Sequence, residues 1–313
     1  MIEQALKMLS EGQIIGMPTE SVYGLAADAT NDTAVARIYA VKKRPSINPL
    51  IIHVDSIEMA RQWGVFTELA EMLAKEFWYK TPSSLTLIVK RNNAALSHLV
   101  TAGLDTVAIR MPMHAIALDL INKFGKPLSA PSANKSNSIS PTSAEAVAIE
   151  LGELIPLIID GGPCRVGVES TILDVSENDP ILLRPGGTTL EAIEKVLGIT
   201  VKTYTENTPT SNTKSFKAPG MMKRHYAPSI PLRLNAKMAL PGEAYLTFGT
   251  ENQRQNETLN LSESGDLVEA TANLFRMIRL LDCSSYNGIA VAPIPNFGLG
   301  LAINDRLSRA SAE

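Results

Sequence analysis

The chain has 313 residues, 45% of them hydrophobic and 19% charged, and its formal net charge at pH 7 is −3. This composition predicts an ordinary globular protein that is long enough for one large domain or two. The net charge argues against a general polyanion binder, although it allows a local basic site. Two cysteines, Cys164 and Cys283, are too few for a disulfide framework or a zinc site.

The first residues predict a short amphipathic helix. Ile2, Leu6 and Leu9 fall on one helical face, and Glu3 stands where a signal peptide would have a basic start. No run approaches the roughly 18 apolar residues that span a membrane. We therefore expect a cytoplasmic protein with no membrane partner.

From there to about residue 200, short apolar runs alternate with stretches of helical periodicity. The predicted strands are QIIGM (13–17), PLIIHV (49–54), SSLTLIVK (83–90), DTVAIRM (105–111), LIPLIID (154–160), STILDV (170–175) and ILLRP (181–185). The predicted helices are DTAVARIYAVKK (32–43), TELAEMLAKEFWY (67–79), HAIALDLINKF (114–124), TSAEAVAIELG (142–152) and TLEAIEKVLG (189–198). Thr67, Thr142 and Thr188 are predicted N-caps. Because helices and strands are mixed and some strands are adjacent, the pattern predicts an α/β sheet that is not purely parallel.

Residues 202–229 interrupt this pattern. They are rich in Thr, Ser, Asn, Pro and Lys, lack periodicity, and hold five Lys or Arg residues against one Glu, which predicts a linker. The part of this linker that reads APGMMKRHYAP is too specific in composition for a passive tether. After it, residues 230–313 predict a small second α/β domain.

The segment YAVKKRPSINPLIIHV ends a predicted helix on Lys42, Lys43 and Arg44. Cations at a helix C-terminus interact favourably with the macrodipole, so these residues could serve the helix alone. Alternatively, Lys42 and Arg44 converge on a phosphate, for which Arg offers a planar fork of donors. Both interpretations are open at this point.

The segment KPLSAPSANKSNSISPT places small hydroxyl residues where a strand should end in the core. Ser132 and Asn134 can donate or accept hydrogen bonds, and small side chains let backbone amides approach a ligand. A hydrophilic loop is the other interpretation. Similarly, Thr19, Glu20, Ser21 and Tyr23 stand together directly after the first predicted strand, in GMPTESVYGLAAD.

Two further segments, GGPCRVGVESTILDV and ILLRPGG, combine loop glycines with polar residues at strand ends. Arg184 ends one predicted strand, and no P-loop or dinucleotide-binding motif is present. Cys164 has no histidine near it in sequence and is predicted to be a buried or incidental thiol. Glu20 and Glu169 are possible general bases, although solvated or capping acids are commoner.

Seven segments occur in a fixed order: PTESVYGLAAD, KKRPSINPLIIHV, TVAIRMP, SAPSANKSNSISPT, GVESTILD, LLRPGG and APGMMKRHYAP. Together they resemble the motifs of the threonylcarbamoyl-AMP synthase family, in the long, two-domain form of the YrdC/TsaC family. The segment GLGLAINDRL is similar to the end of the family's second domain. Three positions depart from the pattern: Ser21 stands where threonine is usual, Asn137 where glycine is usual and Ala218 where serine is usual.

The resemblance implies an α/β fold with three parts. Residues 1–201 would form a YrdC-like twisted mixed sheet with helices and a concave cleft. Residues 202–229 would form a linker that covers the site, and residues 230–313 a small C-terminal α/β, Rossmann-like domain.

The resemblance also implies a reaction. L-Threonine and bicarbonate would form a carbamate that attacks the α-phosphate of ATP, which gives threonylcarbamoyl-AMP and pyrophosphate for the modification of adenosine 37 in tRNA. Mg²⁺ would arrive with ATP, bound through ATP oxygens and water without a protein metal site. A separate transferase would move the threonylcarbamoyl group to tRNA, and we expect a monomer.

Site residues follow from the same resemblance. The implied catalytic residues are Lys42, Arg44, Ser132 and Asn134. The implied ATP-binding residues are Arg44, Asn48, Thr106, Ser132, Ser140, Arg184, His225 and Tyr226. The implied L-threonine-binding residues are Ser21, His53, Arg110 and Ser170, of which Arg110 would take the carboxylate as a bidentate pair.

Two other functions are weighed against this one. An RNA-binding module of YrdC type would bind tRNA or double-stranded RNA without adenylation, but the overall acidity and the lack of an aromatic and basic RNA motif argue against it. A carbamoyl-phosphate-using relative of the hydrogenase maturation proteins would need Cys-rich modules, which two cysteines cannot supply.

Overall fold

Two β-sheets organise the protein. The computed structural model describes residues 1–80, 84–92, 95–204, 218–219, 223–250 and 258–312. The chain up to Thr203 builds a nine-stranded mixed sheet, and the chain from Leu232 onward builds a four-stranded parallel sheet. The prediction of a mixed α/β fold with a second, Rossmann-like part is confirmed.

The large sheet has the strand order β1–β2–β6–β3–β5–β4–β7–β8–β9. Its strands are β1 (Ile15–Met17), β2 (Gly24–Asp28), β3 (Ile51–His53), β4 (Leu85–Lys90), β5 (Thr106–Arg110), β6 (Leu128–Ser129), β7 (Thr171–Asp174), β8 (Ile181–Arg184) and β9 (Lys202–Thr203). Parallel and antiparallel pairs alternate irregularly, since β3 is parallel to β5 but antiparallel to β6.

The small sheet has the order β10–β13–β11–β12, and all its pairs are parallel. Its strands are β10 (Leu232–Arg233), β11 (Glu243–Thr247), β12 (Leu259–Asn260) and β13 (Gly288–Val291). The α-helices in the described residues are α1 (Ile2–Ser10), α2 (Asp32–Lys42), α3 (Ile57–Trp63), α4 (Glu68–Phe77), α5 (His98–Thr101), α6 (Ala115–Phe124), α7 (Ala144–Leu151), α8 (Leu190–Leu197), α9 (Leu267–Leu281) and α10 (Leu299–Ala310).

Most of the described α-helices start at a residue whose side chain caps the helix, whereas α1, α6 and α10 have no such cap. Thr67 caps α4 as predicted, because its side chain accepts the N–H of Ala70. The caps of α7 and α8 lie one residue later than predicted, at Ser143 and Thr189. The hydroxyl of Thr188 is instead used across the sheet, where it accepts the N–H of Ser84 at 2.9 Å.

Several elements depart from the prediction, among them β9 (Lys202–Thr203), which lies in the predicted linker. The predicted strand at 154–160 is wrong, since only an isolated bridge between Ile158 and Gly16 forms there. Strand β2 was not predicted, because its small residues, GLAAD, have low β-propensity and form a strand only by being buried on both faces. The short helices α3 and α5 were also missed.

The two faces of the large sheet are covered differently. The main core lies on one face, where α2, α3, α4, α7 and α8 pack. On the other face, α1 and α6 cover only the β1–β2–β6 end. The rest of that face holds a smaller apolar cluster that includes Ile51, Ala108 and Ile172, together with Ala218 from the predicted linker. This part forms a concave floor on which a site can be built.

The C-terminal part shares its core with the large sheet. The cluster around α9 and α10 takes in Val22, Ile139 and Val168 from the first part of the chain, together with Tyr226 from the predicted linker. The domain boundaries that were predicted between residues 201 and 202 and between residues 229 and 230 therefore remain a prediction. In the described ranges, none of the helices combines the length and apolarity needed to cross a bilayer.

Gly167 provides a test of this shared core. It has φ +78°, and a Cβ on it would lie 2.3 Å from the carbonyl oxygen of Thr271 and 2.5 Å from Cα of Ala272, both on α9. Gly162 has nearly the same φ, +79°, but a Cβ there would meet nothing within 4 Å. We expect Gly162→Ala to lower the free energy of unfolding by about 1 kcal/mol, the cost of the left-handed backbone. Gly167→Ala should lower it by roughly 3 kcal/mol or more, because α9 must also move.

Urea unfolding of both variants and the wild-type protein measures these costs. Equal losses in the two glycine variants would show that α9 does not pack against Gly167 as described.

Candidate active site

A cavity lies on the concave part of the large sheet, where many of the predicted site residues meet. Eight of them line it: Arg44, His53, Arg110, Ser132, Ser170, Arg184, His225 and Tyr226. His53 and Arg110 are neighbours, since they pair in register at the ends of β3 and β5. The remaining lining residues are Val22, Ile51, Ala130, Pro131, Glu169 and Pro219.

Lys42 is buried behind the cavity at the end of α2. Its Nζ donates to the backbone carbonyl oxygens of Ser132 and Asn134, which ties α2 to the loop after β6. Burial, together with the charge of Arg44, lowers the pKa of Lys42 from 10.5 to about 7. Among the described residues, no carboxylate is bonded to Nζ. With a pKa of about 7, Lys42 is only partly protonated at neutral pH, and a nearby anion would favour its charged form.

Arg44 is held by the loop that follows it. Its Nε lies 3.1 Å from Asn48 O, and its Nη2 lies 2.7 Å from both Asn48 Oδ1 and Pro49 O. Burial lowers the pKa of Arg44 from 12.5 to about 10, which leaves it fully charged at neutral pH. Asn48, although it does not line the cavity, is therefore part of the unit that presents Arg44.

Arg184 reaches the cavity because of a β-bulge. Leu182 pairs with Leu173, yet Arg184 pairs with Ile172, so Leu183 is an extra residue on β8. Leu173 and Leu182 face the main core, whereas Ile172 belongs to the cluster on the concave floor. In a regular strand without the bulge, Arg184 would point to the same face of the sheet as Leu182, which is the main-core face, because side chains alternate along a strand.

In the cavity, Arg184 donates hydrogen bonds mainly to the segment that carries Ser170. Its Nε and Nη2 donate to Ser170 O at 3.1 and 2.8 Å, and Nη1 lies 3.4 Å from Pro219 O. The Ser170 hydroxyl lies 2.7 Å from Thr86 Oγ1, on the neighbouring β4. Arg184 and Ser170, predicted for different substrates, thus belong to one hydrogen-bonded group.

Glu169 is the carboxylate in the cavity wall. It accepts Arg306 Nε at 2.7 Å and the hydroxyl of Ser140. Burial alone would raise the pKa of Glu169, but the charges of Arg306 and Arg184 and the Ser140 hydrogen bond outweigh it, and the pKa falls from 4.5 to about 2. Glu169 therefore stays ionised at neutral pH and is a poor general base.

Arg306 is a site residue that the sequence did not single out. It lies on α10 of the C-terminal part, is 1% exposed, and also donates to Pro185 O at 2.9 Å. Its guanidinium carbon lies 5.1 Å from the centre of the Tyr226 ring, within cation–π range. The only signal in the sequence was that Arg306 belongs to the segment GLGLAINDRL. That segment does not indicate that α10 packs beside the cavity.

Arg110 and Glu20 form a second buried ion pair, between Nη2 and Oε1. The other oxygen of Glu20 accepts the N–H of Met113 at 3.0 Å. Among the described residues, Arg110 Nε and His53 Nδ1 have no hydrogen-bond partner. Burial and the charge of Arg110 lower the pKa of His53 to about 3, so its ring is neutral. Glu20, fully engaged by Arg110 and Met113, positions the arginine and does not line the cavity.

His225 and Tyr226 close the cavity from the predicted linker. Burial lowers the pKa of His225 to about 3, and Tyr226 is buried with φ +62°. Within the described ranges, His225 Nδ1 and Tyr226 Oη lack partners. Residues 220–222, which the motif APGMMKRHYAP also includes, lie outside the described residues.

Besides Lys42 and Asn48, four predicted site residues do not line the cavity. Ser21 is fully buried with its Oγ 3.0 Å from Thr19 Oγ1, and the next residue, Val22, lines the cavity instead. Asn134 donates to Lys135 O and Ser138 O and shapes its loop. Ser140 acts through Glu169. Thr106 shares a face of β5 with Arg110 but begins the strand, about 13 Å away at 3.3 Å per residue.

The described residues contain no group of three or more His, Cys, Asp or Glu side chains that could hold a metal ion. The two carboxylates nearest the cavity, Glu20 and Glu169, are each bonded to an arginine. Apart from Glu169, which is paired with Arg306, the polar side chains that line the cavity are basic or neutral. This composition suits an anionic ligand.

The Glu169 ion pair predicts an acid-dependent loss of stability. Because the pKa of Glu169 is lowered in the folded protein, the ionised form stabilises the fold above about pH 4.5, and this stabilisation is lost as the pH falls to about 2. Between pH 5 and pH 2, the wild-type free energy of unfolding should fall by roughly 3 kcal/mol more than that of Glu169→Gln. Urea unfolding at several pH values measures this difference, and parallel pH curves for the two proteins would contradict it.

Two protein-family models match the chain. The model described as "Telomere recombination", for Sua5, YciO and YrdC proteins, matches residues 7–186. The model described as "Threonylcarbamoyl-AMP synthase, C-terminal domain" matches residues 188–312. Together they cover both sheets.

Similar proteins extend over the whole chain. A threonylcarbamoyl-AMP synthase of Pyrococcus abyssi is 42% identical, covering 99% of this chain and 94% of its own length. One of Bacillus subtilis is 40% identical, covering 99% and 92%. The crystal structure of P. abyssi Sua5 complexed with L-threonine has a TM-score of 0.88 at 40% identity, over 99% of this chain and 94% of that chain. On these matches, the chain belongs to the threonylcarbamoyl-AMP synthase family, in the form that carries a second, C-terminal domain.

Proposed function

We propose that this protein is a threonylcarbamoyl-AMP synthase that uses L-threonine, bicarbonate and ATP. The threonine nitrogen would bond to the carbon of bicarbonate, with release of water, to give a carbamate. A carbamate oxygen would then bond to the α-phosphorus of ATP while the bond to pyrophosphate breaks. The observation that carries the proposal is the cavity, in which phosphate-binding cations lie beside a second group suited to an amino acid.

The ATP half of the proposal rests on Lys42, Arg44 and Arg184. In the described residues, the hydrogen bonds of these three buried or partly buried side chains go to backbone, amide or hydroxyl oxygens, so none is bonded to a carboxylate. Displacement at phosphorus asks mainly for positioning and for stabilisation of developing negative charge. Fixed cations in a site of low dielectric supply both. Asn48, Thr106, Ser132, Asn134, Ser140, His225 and Tyr226 complete the proposed nucleotide set.

The L-threonine half rests on Arg110, with His53, Ser170 and Ser21. The unpartnered Nε of Arg110 can donate to the substrate carboxylate, while Glu20 keeps the guanidinium in place. The neutral ring of His53 can accept a hydrogen bond at Nδ1. Support for threonine as the substrate comes from the P. abyssi relative, whose structure is of a complex with L-threonine.

A Mg²⁺ ion would be bound by ATP oxygens and water, in agreement with a cavity whose carboxylates are already paired with arginine. Bound Mg²⁺ would neutralise phosphate charge. No residue of this chain is assigned as its ligand.

His225 and Tyr226 would form part of a cover that excludes water from the carbamate and the acyl-adenylate. The product would pass to a separate transferase that modifies tRNA, and the protein would act as a cytoplasmic monomer. The alternative of an RNA-binding module without adenylation is not favoured, because the full-length relatives are named as synthases.

The decisive test is pyrophosphate release from ATP with Mg²⁺ and bicarbonate. Release should depend on the amino acid, with threonine best, serine next and valine poor, since a site that bonds a substrate hydroxyl rejects analogues without it. Release that ignores the amino acid, or no release, would overturn the proposal and bring tRNA binding forward.

Lys42→Ala should lower kcat/KM for ATP by about 100-fold or more, because a preorganised cation is lost. Ser132→Ala should lower it by about tenfold. Lys43→Ala is the matched control, since Lys43 is the adjacent residue and is exposed, and it should stay within about twofold of the wild-type protein. A loss in Lys43→Ala equal to that in Lys42→Ala would instead point to a general effect of positive charge.

A further inference from the structure

The loop from Lys43 to Pro49 carries Arg44 and Asn48, which the proposed function places on ATP. Its middle is exposed at Pro45, Ser46 and Ile47. Exposed loops of this kind do not keep a fixed position without anchors. The positions of Arg44 and Asn48 in the site therefore depend on the contacts that hold this loop.

One anchor is Arg44 itself. Its Nε donates to Asn48 O, and its Nη2 donates to Asn48 Oδ1 and Pro49 O. A phosphate that binds Arg44 through Nε or Nη2 competes with these oxygens for the same N–H groups, and such binding weakens this anchor.

A second anchor is the hydroxyl of Tyr39, on α2, which lies 3.0 Å from Asn48 O and 2.8 Å from Leu99 O, on α5. Its single proton is shared between these two carbonyls, so Asn48 O accepts from Arg44 Nε and, in part, from Tyr39. These bonds use no N–H group of Arg44, although the Tyr39 hydroxyl also interacts with Arg44. When Arg44 turns toward a phosphate, the Tyr39 hydroxyl remains. Burial raises the pKa of Tyr39, so the hydroxyl keeps its proton at neutral pH.

The far end of the loop is joined to the same helix. Leu50 donates its N–H to Val100 O at 2.8 Å. Together with Leu99 O, this gives α5 two contacts with the segment around Asn48. Helix α5, a single turn far from the phosphate cations in sequence, is the fixed support for the nucleotide loop.

We propose that Tyr39 is a positioning residue for ATP: its hydroxyl holds Asn48 against α5 so that Arg44 can exchange loop carbonyls for phosphate oxygens. This inference rests on the proposed function for the identity of the ligand. It predicts an effect that is larger in the nucleotide-bound state than in the free protein, where Arg44 also holds Asn48.

The test is Tyr39→Phe, which removes one hydroxyl and keeps the ring. The control is Tyr245→Phe, because Tyr245 is buried while Tyr39 is partly buried, and the Tyr245 hydroxyl donates to a single carbonyl, Ala236 O at 2.9 Å, in the C-terminal part. We expect Tyr39→Phe to raise the KM for ATP roughly three- to tenfold. The KM for threonine should stay within about twofold, and the melting temperature should fall no further than in Tyr245→Phe.

Calorimetric titration of each protein with Mg²⁺–ATP, without amino acid, measures the same effect independently of turnover. An unchanged ATP affinity in Tyr39→Phe overturns the inference. So does a parallel rise of both KM values with a larger loss of melting temperature than in the control, which would mark a purely structural role. Failure of the wild-type protein to release pyrophosphate with threonine would instead overturn the proposed function, while the titration still tests Tyr39.

Discussion

The cavity depends on cations that are solvated by the backbone. Lys42, Arg44 and Arg184 all donate to main-chain carbonyl oxygens, which relieve part of the cost of burial without cancelling the charge. A bonded carboxylate would have stabilised each cation more, but it would also have repelled an anionic substrate. The lowered pKa of Lys42 is the remaining cost of this arrangement. Binding of an anion beside Lys42 would offset that cost by favouring its charged form.

The carboxylates that are present lie where they orient a cation or close an interface. Glu20 fixes Arg110 from behind, away from the cavity. Glu169 is shared between Ser140 on one side and Arg306 on the other, and Arg306 comes from α10. Because removing one partner of a buried ion pair leaves an uncompensated charge, the wall of the cavity and the C-terminal part stabilise each other. The C-terminal part is thus a structural component of the site in this chain.

Single segments marked polar residues at strand ends or helix ends, but the sequence assigned these residues to a site only through the ordered motifs of the family resemblance. His53 and Arg110 come at the ends of apolar runs, and Lys42 and Arg44 at the end of an amphipathic helix. Strand and helix positions followed from periodicity where residues were β-branched or regularly spaced. They failed at β2, whose alanines form a strand only because helices cover both faces. N-caps were shifted by one residue where two candidate hydroxyl residues were adjacent.

The sequence by itself determined the fold class, the family and most of the polar residues around the cavity, because these depend on local pattern and on ordered motifs. Only the tertiary structure decided which of these residues face the cavity. A bulge of one residue turns Arg184 to the concave side, and no local pattern marks it. Tyr39 acquires its contact with Leu99 from α5, and Arg306, on α10, acquires its contacts from Glu169 and Pro185, which are distant in the chain. Contacts of this kind arise from packing, which residue types alone do not encode.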